Sequence, residues 1–230
     1  SGEIDHSASV FGNLYFGAES DAAAERLAIE RELAGGDMEI SEHQDIDGVV
    51  ADALAAGGTV ARCRGRMEWG ARALGNRSIL CSADDYSAVD RINRAIKQRD
   101  FWMPFAPSIM AERADRYLHN PKGLGAQFMT FALPTRRQTY GELIAASHPR
   151  DRTVRPQVVT QEANPDYHAL IARFEQKTGR GVVLNTSFNL HGHPIVDTPV
   201  DAIRVFLNSG LEKLALNNFF ISKRNPDNTV

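Results

Sequence analysis

With 230 residues, 43% hydrophobic and 24% charged, the chain can bury a substantial core and is too apolar to remain disordered; it fits one large α/β domain, alone or with an appended subdomain. Its net charge of -3 argues against the broad basic face needed to bind a nucleic-acid polymer, so nucleic acid is not an expected partner and a small phosphorylated ligand fits better. No apolar run reaches membrane-span length and the amino terminus lacks the order of a signal peptide, which predicts a cytoplasmic protein with no membrane contact.

Ser1-Gly2 without an initiating Met resembles the remnant of a cleaved tag, which predicts a piece of a longer protein. Residues 1–20 read as a lead-in with little regular structure, 21–224 as the domain and 225–230 as a tail. Residues 21–34 are helix-prone and stop at Gly35-Gly36. A second helix is expected over 47–56, then a strand over 59–63 that enters a basic loop and a strand or turn over 78–81 that leaves it. Between them, RCRGRMEWGARALGNRSIL (62–80) holds Arg62, Arg64, Arg66, Arg72 and Arg77 against one acid, Glu68. Gly65, Gly70 and Gly75 give this loop backbone freedom, and its guanidinium and N–H groups suit a small anion. A solvated basic loop is the plain alternative.

Residues 84–96 have helical spacing, and Lys97 follows their carboxyl end, either complementing the helix dipole or reaching the arginine loop's pocket. Strands are expected over 105–110 and 128–133. A long basic connection covers 134–157. Asn164-Pro165 opens the clearest helix, with Tyr167, Leu170, Ile171 and Phe174 on its apolar face and Gly179 as its stop. A buried strand at 181–184 runs into a polar turn, NTSFN (185–189), at a strand's carboxyl end, where ligands of open α/β sheets sit. Thr198-Pro199 starts another helix, and 214–222 closes the chain as a strand. Cys63 and Cys81 lack metal or redox spacing and read as two reduced thiols. His191 and His193, two apart in a loop without grouped acids, read as ordinary loop residues.

Four stretches, GRMEWGARALGNRSI (65–79), KQRDFWMPFAPSIM (97–110), TVRPQVV (153–159) and VVLNTSFNLHGHPIVDTPVDAI (182–203), together resemble the carboxyl-terminal domain of the NodU/CmcH carbamoyltransferases. The resemblance implies a YrdC-like α/β domain: a twisted mixed sheet with flanking helices and a basic cleft. It implies binding of carbamoyl phosphate and ATP and formation of carbamoyl adenylate with release of phosphate and pyrophosphate. ATP is expected as co-substrate, Mg is left open as its companion ion, and no metal is expected to be bound by this piece. The implied partner is an amino-terminal domain of the actin-like ATPase type, outside this chain, which passes the carbamoyl group to a hydroxyl acceptor.

Carried over by motif, the substrate-binding residues are Arg72, Lys97, Arg155, Asn185 and Ser187, with Lys97 and Arg155 also given catalytic roles. The cations would clamp phosphates, and the Asn185 amide and Ser187 hydroxyl would pair with the carbamoyl group. No Ser-His-Asp spacing supports a nucleophilic Ser187. The chain departs from the family at Met103, where Arg precedes Pro-Phe-Ala-Pro, at Ala71 for Pro, and at His193 for an acid. A threonylcarbamoyl adenylate synthase of the YrdC type and a non-catalytic nucleotide- or RNA-binding module are the alternatives.

Overall fold

The computed structural model describes residues 12–97 and 104–224, so Met103 lies outside the described residues. Helix α1 (Ala22–Glu32) begins where Asp21 accepts a bond from the Ala24 N–H. Strand β1 (Met38–Glu42) and helix α2 (Ile46–Ala55) follow, the latter capped by Asp45. Strands β2 (Val60–Cys63) and β3 (Arg77–Ser82) flank the arginine loop. Helix α3 (Tyr86–Ile92) then widens into a π-helical turn, Asn93–Lys97. After strand β4 (Ala106–Met110) come the short helix α4 (Ala114–Tyr117), the two-residue strands β5 (Leu133–Pro134) and β6 (Thr153–Val154), and strand β7 (Gln157–Val159). Helix α5 (Pro165–Thr178), strand β8 (Val182–Ser187), helix α6 (Pro199–Leu207) and the hairpin β9 (Lys213–Leu216) and β10 (Phe219–Lys223) complete the chain.

Eight strands form one mixed sheet in the order β1-β10-β9-β2-β3-β8-β4-β7, while β5 and β6 pair separately. Among the described residues only β2 with β9 and β4 with β7 are parallel. Alternate side chains of the central strands serve two cores. Ile79, Leu184 and Leu214 pack with α1, α3 and α6 on one face. Leu80, Val183 and Ala215 pack with α2 and α5 on the other. The result is the expected mixed α/β architecture, a sheet between two helical layers.

The clearest sequence signal is realised as read. Asn164 caps the Tyr167 N–H, Pro165 is first in the helix, Gly179 closes it at φ 73°, and Tyr167, Leu170, Ile171 and Phe174 are buried. Four other expectations are corrected. Residues 128–132 are not a strand, because Met129 turns into the left-handed region at φ 55° and buries against Leu74 and Ala106. The connection 134–157 is not structureless, since Arg137–Ala146 forms a 3-10 helix whose Leu143 and Ala145 enter the core. The expected last strand is a hairpin, because Asn217 adopts φ 44° and folds β10 back on β9. Residues 185–187 belong to strand β8 itself. The sequence reading also lacked β1, a five-residue edge strand paired only with β10 among the described residues.

Candidate functional site

Most of the arginine loop's cations are used to build the loop. The Arg62 side chain is buried, donates from Nη1 to Gly75 O (2.7 Å) and Asn76 Oδ1 (3.1 Å), and lies over the Tyr167 ring. Arg77, also buried, donates to the backbone oxygens of Asp197, Gly65 and Asn76 at 2.9 to 3.1 Å. Arg64 pairs with Asp166 at 3.0 Å. These three hold chain segments together, and none of them lines the cleft beside Arg72.

The loop does wrap an acidic group, and it is the loop's own Glu68 carboxyl. Buried Glu68 accepts through Oε1 from the N–H groups of Leu74 (2.6 Å), Asn76 (3.2 Å) and Arg77 (3.1 Å). Burial pushes this carboxyl above its ordinary range, against those hydrogen bonds. The expectation that these N–H groups stand open to an external anion is therefore corrected. Gly75 sits at φ 116°, and a Cβ there would lie 2.3 Å from the Tyr167 ring, so only glycine lets the loop pass this close to α5. The lead-in also contributes: Trp69 N donates to Leu14 O (2.7 Å), Gly17 N to Met67 O (2.9 Å) and Tyr15 Oη to Leu74 O (2.8 Å).

So anchored, the loop presents Arg72 outward. Arg72 lines a small cleft of about 60 Å3 together with Ala73, Phe105, Met129, Arg155, Asn185 and Ser187. Arg155 enters from the two-residue link between β6 and β7, and Asn185 and Ser187 from the carboxyl half of β8. No carboxylate lines the cleft among the described residues. Arg155 Nε is buried without a hydrogen-bond partner, and burial, then the nearby Arg72 charge, lowers the Arg155 guanidinium below its ordinary value. Two like charges converge here with no internal acid between them.

Lys97 does not line the cleft but lies behind Ser187, which does. The π-helical turn carries it there, as such turns often do at functional sites. Buried to 2% exposure, its ammonium donates to Ser187 Oγ (3.1 Å), Asn189 Oδ1 (2.6 Å) and Asn189 O (3.3 Å). This placement decides against a role as a solvated complement to the helix dipole. Four of the five residues carried over by motif, Arg72, Arg155, Asn185 and Ser187, line the cleft, and the fifth, Lys97, contacts it through Ser187. Two larger surface hollows, of about 430 Å3 beside α3 and about 410 Å3 between α2 and α5, have none of the five in their walls.

Behind the cleft lies a network that sequence reasoning missed. Asn185 Nδ2 donates to Ala73 O (3.1 Å), Ser108 Oγ (3.0 Å) and Gln157 Oε1 (3.1 Å). Ser108 donates to Gln157 Oε1 (2.7 Å), and Gln157 Nε2 to Leu74 O (2.7 Å). Asn189 was also missed, although NTSFN gave the signal in its polar 185, 187, 189 spacing. Its Oδ1 receives bonds from Lys97 and Ser187, and its Nδ2 donates to Leu190 O and His193 O.

Cys63 and Cys81 are buried free thiols, and burial pushes Cys63 up to about 11. Among the described residues no group of three His, Cys, Asp or Glu side chains is placed to hold a metal, and no helix is long and apolar enough to cross a membrane.

Comparison with known proteins shows the family of the chain. Residues 51–223 match the family model described as "Carbamoyltransferase C-terminus". The chain is 38% identical over 200 residues to the nodulation protein NolNO of Sinorhizobium fredii, covering 86% of this chain and 29% of that protein. It is 36% identical over 155 residues to the 3'-hydroxymethylcephem-O-carbamoyltransferase of Streptomyces clavuligerus, covering 67% and 29% respectively. This chain therefore spans less than a third of either relative. In fold it is similar to the HypF of T. kodakarensis, with a TM-score of 0.52 at 14% identity over 83% of this chain and 23% of that one. The chain belongs to the carbamoyltransferase carboxyl-terminal family, in its NodU/CmcH branch.

Proposed function

We propose that this chain is the part of an O-carbamoyltransferase that binds carbamoyl phosphate and ATP and forms carbamoyl adenylate. The observation that carries this reading is the meeting of Arg72 and Arg155 at one small cleft with no acid in its described lining. Guanidinium groups take phosphate oxygens bidentately, so the pair suits the phosphoryl end of carbamoyl phosphate. Lys97, held on Ser187 and Asn189, supplies a third positive charge where phosphate is released or where the nucleotide's phosphates approach. Asn185 stands at the inner wall, beside the carbamoyl end.

The chemistry balances with one water. Cleavage of the carbamoyl-phosphate bond by water gives carbamate and inorganic phosphate; a carbamate oxygen then attacks the α-phosphorus of ATP and pyrophosphate leaves. The chain's own residues fix charge and orientation, which is the main protein contribution to such transfers. Lys97, buried and held by Ser187 and Asn189, and the half-buried Arg155 are fixed in place, so they hold anions with little reorganisation during reaction. Transfer to a hydroxyl acceptor belongs to an amino-terminal domain, since this chain covers only 29% of the named relatives.

Pyrophosphate release from ATP tests the reading. Release that depends on carbamoyl phosphate, by the chain alone or with the amino-terminal domain added in trans, is expected, with no carbamoylated product from the chain alone. Release that requires bicarbonate and threonine instead would assign a threonylcarbamoyl adenylate synthase. RNA binding with steep salt dependence and no response to carbamoyl phosphate would assign a non-catalytic module.

A further inference from the structure

We infer that the lead-in is part of the anion site and that Tyr15 is a positioning residue for Arg72, an inference that rests on the cleft binding the phosphoryl end of carbamoyl phosphate. The lead-in lies outside the residues that the family model matches, 51–223. Its sequence predicts little regular structure, yet residues 14–18 run antiparallel to 67–69 of the arginine loop. Trp69 N donates to Leu14 O (2.7 Å), Gly17 N to Met67 O (2.9 Å) and Met67 N to Ala18 O (3.3 Å). Gly17 permits this approach, because a Cβ there would lie 2.7 Å from Met67 Cβ. Arg66 adds a bond from Nη2 to Phe16 O at 3.2 Å.

Tyr15 carries this contact to the backbone beside Arg72. The buried Leu74 offers one carbonyl oxygen to two donors, Tyr15 Oη (2.8 Å) and Gln157 Nε2 (2.7 Å), which together use both of its lone pairs. Burial holds the Tyr15 phenol above its ordinary value, so it stays a donor at neutral pH. The side chains of Leu14 and Tyr15 pack with Leu74, Ala106 and Met129, and the last two line the cleft. Ala73 O is held in turn by Asn185 Nδ2 at 3.1 Å. Residues 73 and 74 are thus gripped by three elements: β7 through Gln157, β8 through Asn185, and the lead-in through Tyr15. Arg72 is exposed, so its aim at an anion depends on where this adjoining backbone is fixed.

Calorimetric titration of carbamoyl phosphate into four chains tests this: wild type, Tyr15→Phe, Arg72→Ala and the double variant, with thermal unfolding of each in the absence of ligand. Tyr15→Phe keeps the ring packing, the Gln157 bond to Leu74 O and the Glu68 contacts, so it should melt close to the wild type. It is expected to bind about threefold to tenfold more weakly, the effect of one hydrogen bond. In the Arg72→Ala background the same substitution should change nothing, because the side chain that Tyr15 positions is gone. Wild-type affinity in Tyr15→Phe, an equal loss with and without Arg72, or a large fall in its melting temperature would overturn the inference and leave the anion site standing. Arg72→Ala binding like the wild type, or no binding by the wild type, would overturn the reading of the cleft itself and this inference with it.

Discussion

Arg62, Arg72 and Arg77 lie within sixteen residues of one another, at the end of β2, in the loop and at the start of β3, yet replacing them should have opposite consequences. Arg62 and Arg77 are 1% exposed and saturate backbone oxygens, so their loss leaves buried carbonyls unpaired. Arg72 is exposed at the cleft and ties nothing down. Glu68 is the most demanding position of the loop. Glu68→Ala strips the acceptor from three N–H groups and is expected to destabilise the chain by about 3 kcal/mol or more, at the low end of the cost for three buried unpaired donors. Chemical denaturation of this variant beside Arg72→Ala, which should unfold like the wild type, checks the contrast. Equal midpoints for the two would mean that Glu68 does not template the loop. Gly75→Ala should be severe for a separate reason: it combines a φ of 116° with a Cβ only 2.3 Å from the Tyr167 ring. A well-folded Gly75→Ala chain with an unshifted melting temperature would contradict that geometry.

Among the elements, α3 matters most to function because its π-helical end delivers Lys97. Its start is secured by Asp85, which accepts from Ser87 N (2.9 Å) and Ser87 Oγ (2.6 Å) and pairs with Arg91 (2.6 Å). Burial alone would raise this carboxyl; the hydrogen bonds from Ser87 and Arg91 outweigh it and hold the group below its ordinary value. With the folded-state value depressed, the stabilisation is present above the ordinary aspartate value and is lost as pH falls through the depressed one. Asp85→Ala should therefore cost about 1 kcal/mol at neutral pH, as for a lost N-cap. The gap from wild type should close as pH drops below about 3.9. A gap that stays constant in acid would exclude the ionised cap.

Legibility also divides by element. Helix α5 was plain because its cap, its Pro, its apolar period and its terminal Gly agree. The cleft residues came from the resemblance of four motifs to a family; their types, cations and amides, agree with anion chemistry but alone left a solvated basic loop open. What stayed hidden depends on long-range packing. No local pattern shows that Glu68 turns back on its own loop, that Gln157 crosses to Leu74 O, or that α3 widens so that Lys97 meets Asn189. The same limit explains 128–132, where burial of Met129 against Leu74 overrides an apolar run that reads as a strand.

At the scale of the whole molecule, the mixed sheet explains how residues 72 to 187 share one cleft. Strand β8 runs antiparallel to both β3 and β4, and β4 runs parallel to β7. One end of the sheet therefore collects the loop after β2, the carboxyl end of β8, and the amino ends of β4 and β7. In a wholly parallel sheet the last two would lie at the opposite end. This convergence leaves Arg155 half-buried beside Arg72 with Nε unpartnered, a strained arrangement of charge unless an anion joins it. The most direct measurement is calorimetric titration of carbamoyl phosphate into the wild-type chain and Arg155→Ala, with thermal unfolding of both in the absence of ligand. The variant is predicted to bind about tenfold to a hundredfold more weakly, the range for a lost charge-assisted contact, and to melt at the wild-type temperature or slightly above it. Unchanged affinity, or a large fall in the ligand-free melting temperature, would show that Arg155 holds the fold and that the phosphate lies elsewhere.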